Sequence, residues 1–184
     1  MFSLFLFGWN SGHFISLPLC HYFAECLKVL GIKSVSSNAP LNILLADDDK
    51  DDRYFFEKAL GRLPTSVNFT TVNDGAQLMK YLKTNSDNLP DVLFLDNNMP
   101  RKTGSECLVE IKSDERLKKI PVILCSTSLG DDFANELYQN GAHYYLHKCD
   151  FPELIKCIQM ALESLEKNPY QPARSKFMLN LQEA

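Results

Sequence analysis

The chain has 184 residues, 45% of them hydrophobic, with 19 Lys and Arg against 23 Asp and Glu and a formal net charge of −4. That length holds one domain with extensions around a substantial core, and that charge gives no sign of a nucleic-acid-binding surface. The cysteines, Cys20, Cys26, Cys107, Cys125, Cys149 and Cys157, form no Cys-x-x-Cys pair and no zinc-ribbon spacing, so they read as small apolar residues of a reducing, cytoplasmic compartment.

Residues 1–40 differ from everything after them. Residues 1–24 carry no Asp, Glu, Lys or Arg, yet Asn10, Gly12, His13, Pro18 and His21 interrupt the stretch as a membrane span. No Lys or Arg precedes Lys28, so the basic start of a signal peptide is missing. The expectation is a poorly ordered extension ending in a Ser-rich linker, with no membrane partner.

From Leu41 onward, short apolar runs alternate with amphipathic stretches. Residues 43–46 predict a buried strand, and the acid-rich residues 47–52 lead into a helix whose apolar positions 56, 59, 60 and 63 share one face. Residues 67–72 predict a second strand and residues 74–83 a second helix. Residues 92–95 are an unbroken apolar run that predicts a fully buried third strand, ending at Asp96. Pro100 then drives Met99 out of helix, and Gly104 permits conformations that other residues resist, so the loop after Asp96 is tight. Helix 105–113, strand 122–125, helix 131–140, strand 144–146 and a last helix opened by Pro152 complete the series. This alternation predicts an α/β fold, a doubly wound five-stranded parallel sheet with five helices. Pro169 and Pro172 end the last helix and leave residues 168–184 as a tail too short for an output domain, whose Phe177, Met178, Leu179 and Leu181 offer a patch for a neighbour.

Right-handed βαβ connections bring the C-terminal ends of parallel strands to one edge of the sheet. Asp47 and Asp48 after strand one, Asp96 after strand three, Ser126 and Thr127 after strand four and Lys148 after strand five are therefore expected to converge. Carboxylates sharing a pocket repel unless a cation is supplied. Oxygen-only ligands suit Mg²⁺, which takes one or two carboxylates, waters and a phosphate; the candidate ligands are Asp48, Asp96 and the backbone carbonyl of Asn98. A calcium loop starting at Asp47 fails, because Asp52 stands where glycine is needed and Lys58 where glutamate is needed. Asp49, Asp51 and Asp52 read as a solvated helix start. Lys148 and Ser126 could hold phosphoryl oxygens while Asp96 attacks in line, which makes the expected site a phosphoryl-aspartate pocket.

These residues resemble the receiver domain of two-component response regulators across residues 41–167. The motifs that carry the resemblance are Leu-Leu-Ala-Asp-Asp-Asp at 44–49, Leu-Asp-Asn-Asn-Met-Pro-Arg-Lys-Thr-Gly at 95–104, Leu-Cys-Ser-Thr-Ser at 124–128 and Tyr-Leu-His-Lys at 145–148. The run 100–104, with Glu110-Ile111-Lys112 and Ile120-Pro121, looks most like the stand-alone receivers that include phytochrome partners. The resemblance implies a flavodoxin-like sheet of order 2-1-3-4-5. It also implies Asp96 as phosphoacceptor, Asp47 and Asp48 as the acidic pocket, Ser126 as the hydroxyl that moves on activation, Lys148 as the phosphate-binding lysine and Tyr145 as an aromatic that turns inward on activation. The implied partners are a sensor histidine kinase or phosphotransfer protein and a downstream protein target or second copy, met by the face of helix four, strand five and helix five.

One residue departs from the pattern: Cys149 stands where the family commonly has proline. A non-proline cis bond costs about 3 kcal/mol, so a trans Lys148–Cys149 bond is expected. Two alternatives stand beside the phosphorylated switch. A receiver-like binding module that works without phosphorylation has only Cys149 in its favour. A Mg²⁺-dependent phosphatase needs a second aspartate two residues after the nucleophile, and that position is Asn98. The expectation is a chain that is not an enzyme.

Overall fold

The computed structural model describes residues 39–127 and 130–179. The expectation for the N-terminal extension lies outside the described residues, apart from its last two. Five strands come in the predicted order: β1 (Leu41–Ala46), β2 (Val67–Val72), β3 (Val92–Asp96), β4 (Val122–Ser126) and β5 (Tyr144–His147). Between and after them run α1 (Lys50–Leu60), α2 (Gly75–Thr84), α3 (Gly104–Ser113), α4 (Asp131–Gln139) and α5 (Phe151–Lys167). No helix among the described residues is long and apolar enough to cross a membrane.

Local chemistry sets the helix starts. Asp49, Asp74 and Asp150 each turn a carboxylate back to accept from the N–H of Asp51, Gln77 and Glu153, at the first turns of α1, α2 and α5. Thr103 and Glu106 form a reciprocal capping box at the start of α3. Thus α3 begins directly below the loop that carries Asp96, and its register is fixed by two hydrogen bonds rather than one.

All neighbouring strands are parallel, and side chains alternate between two cores. Leu44, Leu93, Leu95, Leu124 and Tyr145 share one core with Leu78, Leu82, Leu108, Ile111 and Leu137 from α2, α3 and α4. Ile43, Leu45, Phe94, Ile123 and Leu146 share the other with Phe56, Leu60, Ile158 and Ala161 from α1 and α5. Burying each such side chain stabilises the fold by about 1.5–3 kcal/mol. β3 and β4 are buried along their whole length, which explains why they read as continuous apolar runs rather than as alternating ones.

The sheet has six strands, in the order β2-β1-β3-β4-β5-β6, which corrects the expected five. β6 (Met178–Leu179) follows a short 3₁₀ turn (Arg174–Lys176) and pairs parallel to β5, with Tyr145 opposite Met178 and Leu146 opposite Leu179. The tail expected to dock on a neighbour therefore docks on its own domain through Leu179; Leu181 lies outside the described residues. The reason is the edge of β5: the Tyr145 N–H would otherwise face solvent, and instead donates to the Phe177 carbonyl at 2.9 Å.

Candidate functional site

Strands β1, β3, β4 and β5 end on one side of the sheet, and their C-terminal residues meet there. Lys148, just past β5, crosses to the acids of the other strands. Its Nζ lies 3.0 Å from Asp47 Oδ2, 2.9 Å from Asp96 Oδ1 and 2.7 Å from Asp52 Oδ2. Asp47 and Asp96 are buried, at 3% and 2% exposure, whereas Asp48 faces solvent. Its backbone is anchored too: the Lys148 N–H donates to the Ser126 carbonyl at 2.9 Å.

Burial opposes the charge on Lys148, but the carboxylates of Asp52, Asp96 and Asp47 outweigh it and hold its pKa above the ordinary lysine value. Burial raises the Asp47 carboxyl above the usual range despite hydrogen bonds from Lys148 and the Asp49 N–H. Three carboxylates thus share one ammonium. The pocket has negative charge to spare for a second cation.

The loop after β3 orients the Asp96 carboxylate. Its Oδ2 accepts from the Asn98 N–H at 2.8 Å, leaving Oδ1 toward Lys148. The Asn97 N–H donates to the Cys125 carbonyl and the Gly104 N–H to the Asn97 carbonyl, both at 3.0 Å, so the loop is tied to β4 and to the start of α3. Arg101 adopts a left-handed conformation at φ 68°, an unfavourable backbone for a non-glycine residue, and its guanidinium pairs with the fully buried Asp74. Burial alone would raise the Asp74 carboxyl, but the Gln77 N–H and Arg101 reverse that and hold it below its usual value. The α2 cap and the loop of the phosphoacceptor candidate are joined by this pair.

Asp47, Asp48 and Asp96 can each offer one oxygen within 4.8 Å of the others, the grouping expected of a hard divalent cation. The donor set fits Mg²⁺: oxygen only, two of the acids buried and one open to water. Asn98 is exposed, and what places it at the site is its N–H on Asp96. Ser126 is buried at the end of β4 and shares a hydrogen bond with the Tyr145 side chain. Thr127 is exposed, and its carbonyl lies 3.1 Å from His147 Nε2. An apolar cavity of about 250 Å³ adjoins Asp47 and Lys148, walled by Leu45, Phe56, Leu146 and Phe151.

One reading needs correction. Asp52, read as part of a solvated helix start, belongs to the site: the first turn of α1 points it at Lys148. An acid there is already favourable on helix-dipole grounds, so its second role left no separate trace in the sequence. Tyr145, expected to turn inward on activation, is already inward at 1% exposure. Cys149 is partly buried with Cys157 as neighbour, and burial pushes its thiol up to about 12, which leaves it protonated at neutral pH. The peptide bonds of the described residues are all trans, as expected at Lys148–Cys149.

Comparison with known proteins agrees with this geometry. Residues 43–159 match the model of the response regulator receiver domain family. The response regulator Rcp1 of Synechocystis sp. is 32% identical over 131 residues, covering 68% of this chain and 89% of that protein. The crystal structure of the phosphorylated cyanobacterial phytochrome response regulator RcpA matches with a TM-score of 0.62 and 33% identity, over 71% of this chain and 96% of that one. The Mn²⁺-bound form of Rcp1 matches with a TM-score of 0.63 and 29% identity, over 73% of this chain and all of that one, 100%. With its sheet order, its acidic pocket and a match spanning most of its length, the chain belongs to the response regulator receiver domain family.

Proposed function

We propose that this chain is a response regulator whose Asp96 accepts a phosphoryl group from a histidine kinase or phosphotransfer protein. The observation that carries this reading is the ammonium of Lys148 held at 2.7–3.0 Å by Asp47, Asp52 and Asp96. A lysine anchored by three carboxylates is positioned to follow negative charge when it arrives on one of them.

Transfer needs little covalent chemistry from the protein beyond the nucleophile. One Asp96 oxygen forms the new bond to phosphorus as the P–N bond of the donor phosphohistidine breaks, and the electron pair leaves on the imidazole nitrogen. The buried position of Asp96 at a strand end limits water access to the resulting acyl phosphate. Bound by Asp47, Asp48 and Asp96, Mg²⁺ would supply neutralisation of the charge on the transferring group. Lys148 Nζ then pairs with one phosphoryl oxygen, and the Ser126 hydroxyl donates to another.

The signal leaves through Tyr145. Ser126 shares a hydrogen bond with it, so movement of the hydroxyl toward a phosphoryl group changes what holds the ring, and with it the face of α4, β5 and α5. A downstream protein would meet this side of the domain at α4, α5 and the segment paired over the edge of β5, with the chain acting in the cytoplasm. The phosphorylated state of the relative RcpA supports phosphorylation, and the Mn²⁺ bound by Rcp1 supports a divalent cation at the acids.

Beryllofluoride, which mimics a phosphoryl group on a carboxylate, tests the reading by calorimetry. Wild type should bind it only with Mg²⁺ present, and Asp96→Asn should not bind it at all. Binding that survives Asp96→Asn would contradict the assignment.

A further inference from the structure

The segment that leaves α5 returns across α4 and β5 and ends as β6. It is fastened along its whole course. Gln171 Nε2 donates to the carbonyls of Tyr138 and Ala142, at 2.7 and 2.8 Å. The Tyr138 hydroxyl donates to the Pro172 carbonyl at 3.0 Å, and Arg174 Nε to Asn135 Oδ1 at 2.7 Å. Arg174 also lies over the Phe177 ring, 5.5 Å from its centroid.

Phe177 is the one large side chain of this segment that is fully buried, at 0% exposure among the described residues. Its ring meets Tyr138 edge-on at 5.2 Å and Tyr145 at 6.5 Å. Its carbonyl takes the Tyr145 N–H. Tyr145 is therefore gripped on two sides, by Phe177 at ring and backbone and by Ser126 at the hydroxyl. Phe177 packs against the ring on one side and so opposes its leaving the core. A surface tail needed only to cover an edge strand would not require a buried aromatic aimed at this tyrosine.

We infer that residues 169–179 act as an intramolecular strap in which Phe177 is a positioning residue, keeping Tyr145 inward after the Ser126 hydroxyl has moved toward a phosphoryl group, so that strap docking and occupancy of the Asp96 pocket favour each other. The inference rests on the phosphoacceptor reading above and adds the tail to it. Because coupling between two sites is reciprocal, the strap tightens the pocket for a phosphoryl mimic, and the mimic tightens the strap. The strap also decides which partner surface is on offer. With β6 in place the hydrogen-bonding edge of β5 is taken, so a downstream protein meets the outer faces of α4, α5 and the strap itself.

The test is beryllofluoride affinity in Mg²⁺, measured on the full chain for wild type, Phe177→Ala, Phe177→Leu and Gln171→Ala, together with hydrogen exchange at the Tyr145 N–H. Phe177→Ala should bind about tenfold more weakly, within the usual range of coupling between sites. Phe177→Leu refills most of the space and should return most of the affinity. In wild type, beryllofluoride should slow exchange at the Tyr145 N–H by a similar factor. If Phe177→Ala proves too unstable to measure, Gln171→Ala, which leaves the core ring in place, should still weaken binding. Equal affinity in wild type and the strap variants, or exchange at Tyr145 that ignores the mimic, overturns the inference while leaving the phosphoacceptor reading intact. Wild type that does not bind the mimic overturns both.

Discussion

Replacing Lys148 with alanine should abolish phosphoryl uptake at Asp96 and, in the same variant, make folding stability depend on divalent cation. Lys148 lies within 3.0 Å of three carboxylates, two of them on the nearly fully buried Asp47 and Asp96. Removing one member of such a buried arrangement leaves charge without compensation, at a cost of about 3–5 kcal/mol. That exceeds the typical effect of a point substitution. The deficit is specific in its chemistry. With the ammonium gone, the Asp47 carboxyl, which burial already holds above its usual range, rises further, so the variant is penalised above the unfolded value and relieved as pH falls, when protonation removes the repulsion. Mg²⁺ should relieve it at neutral pH by taking the place of the lost positive charge. Urea denaturation at neutral and mildly acidic pH, with Mg²⁺ or with chelator, measures all of this. A Lys148→Ala protein that is as stable as wild type, or whose deficit ignores both pH and Mg²⁺, would show that the ammonium is not what balances the pocket. Lys148→Arg keeps the charge but replaces a compact point charge with a planar fork, and should retain stability better than phosphorylation rate.

The second large effect is expected from Gly104→Ala. A Cβ built on Gly104 would lie 2.4 Å from the Asp96 carbonyl oxygen, 2.9 Å from Asn97 Cα and 3.0 Å from the Asp96 carbonyl carbon. Every one of those atoms is backbone, so no side chain can swing aside. Either α3 withdraws or the end of β3 moves, and the end of β3 carries the phosphoacceptor candidate. Overpacking of this kind typically costs about 1–3 kcal/mol and sometimes more. The displacement should also slow acyl phosphate formation by at least about tenfold, since small misplacements of reacting groups cost that much or more. Gly61→Ala is the matched control. There a Cβ would meet only the Lys58 and Glu57 carbonyl oxygens at 3.5 and 3.7 Å, with the backbone already at φ −65°. That substitution should leave stability unchanged or raise it by up to about 1 kcal/mol. Denaturation midpoints and phosphorylation rates of the two variants side by side test the argument; equal behaviour would contradict it.

Much of this fold was legible because short apolar runs alternate with amphipathic helices from Leu41 to the end of α5. The strand at 67–72 was placed at its observed bounds, and the continuous apolar runs of β3 and β4 announced strands buried on both faces. The meeting of Asp47, Asp48, Asp96, Ser126 and Lys148 was legible for a different reason. Right-handed crossovers send every parallel strand end to the same edge, so residues far apart in sequence can be assembled without knowing any distance.

What escaped depended on tertiary context. Asp52 needed the helical phase of α1 relative to Lys148, which a run of six polar residues does not reveal. β6 is two residues long and has no period of its own; it exists because the edge of β5 is open to it. Phe177 read as a sticky tail residue because its partners, Tyr138 and Tyr145, lie on other elements. The inward position of Tyr145 follows from that same packing. Cys149 stands where a proline was expected, and its burial beside Cys157, which raises its thiol, depends on α5 folding back against β5.

Intact mass after incubation with Mg²⁺ and acetyl phosphate, run beside Asp96→Asn and a chelated control, tests the central claim most directly. The arrangement of Lys148 and its carboxylates predicts a single phosphoryl adduct on wild type, labile to base and to hydroxylamine and absent from both controls. An adduct that persists in Asp96→Asn, or none on wild type while beryllofluoride also fails to bind, would contradict the assignment of Asp96 as the phosphoacceptor.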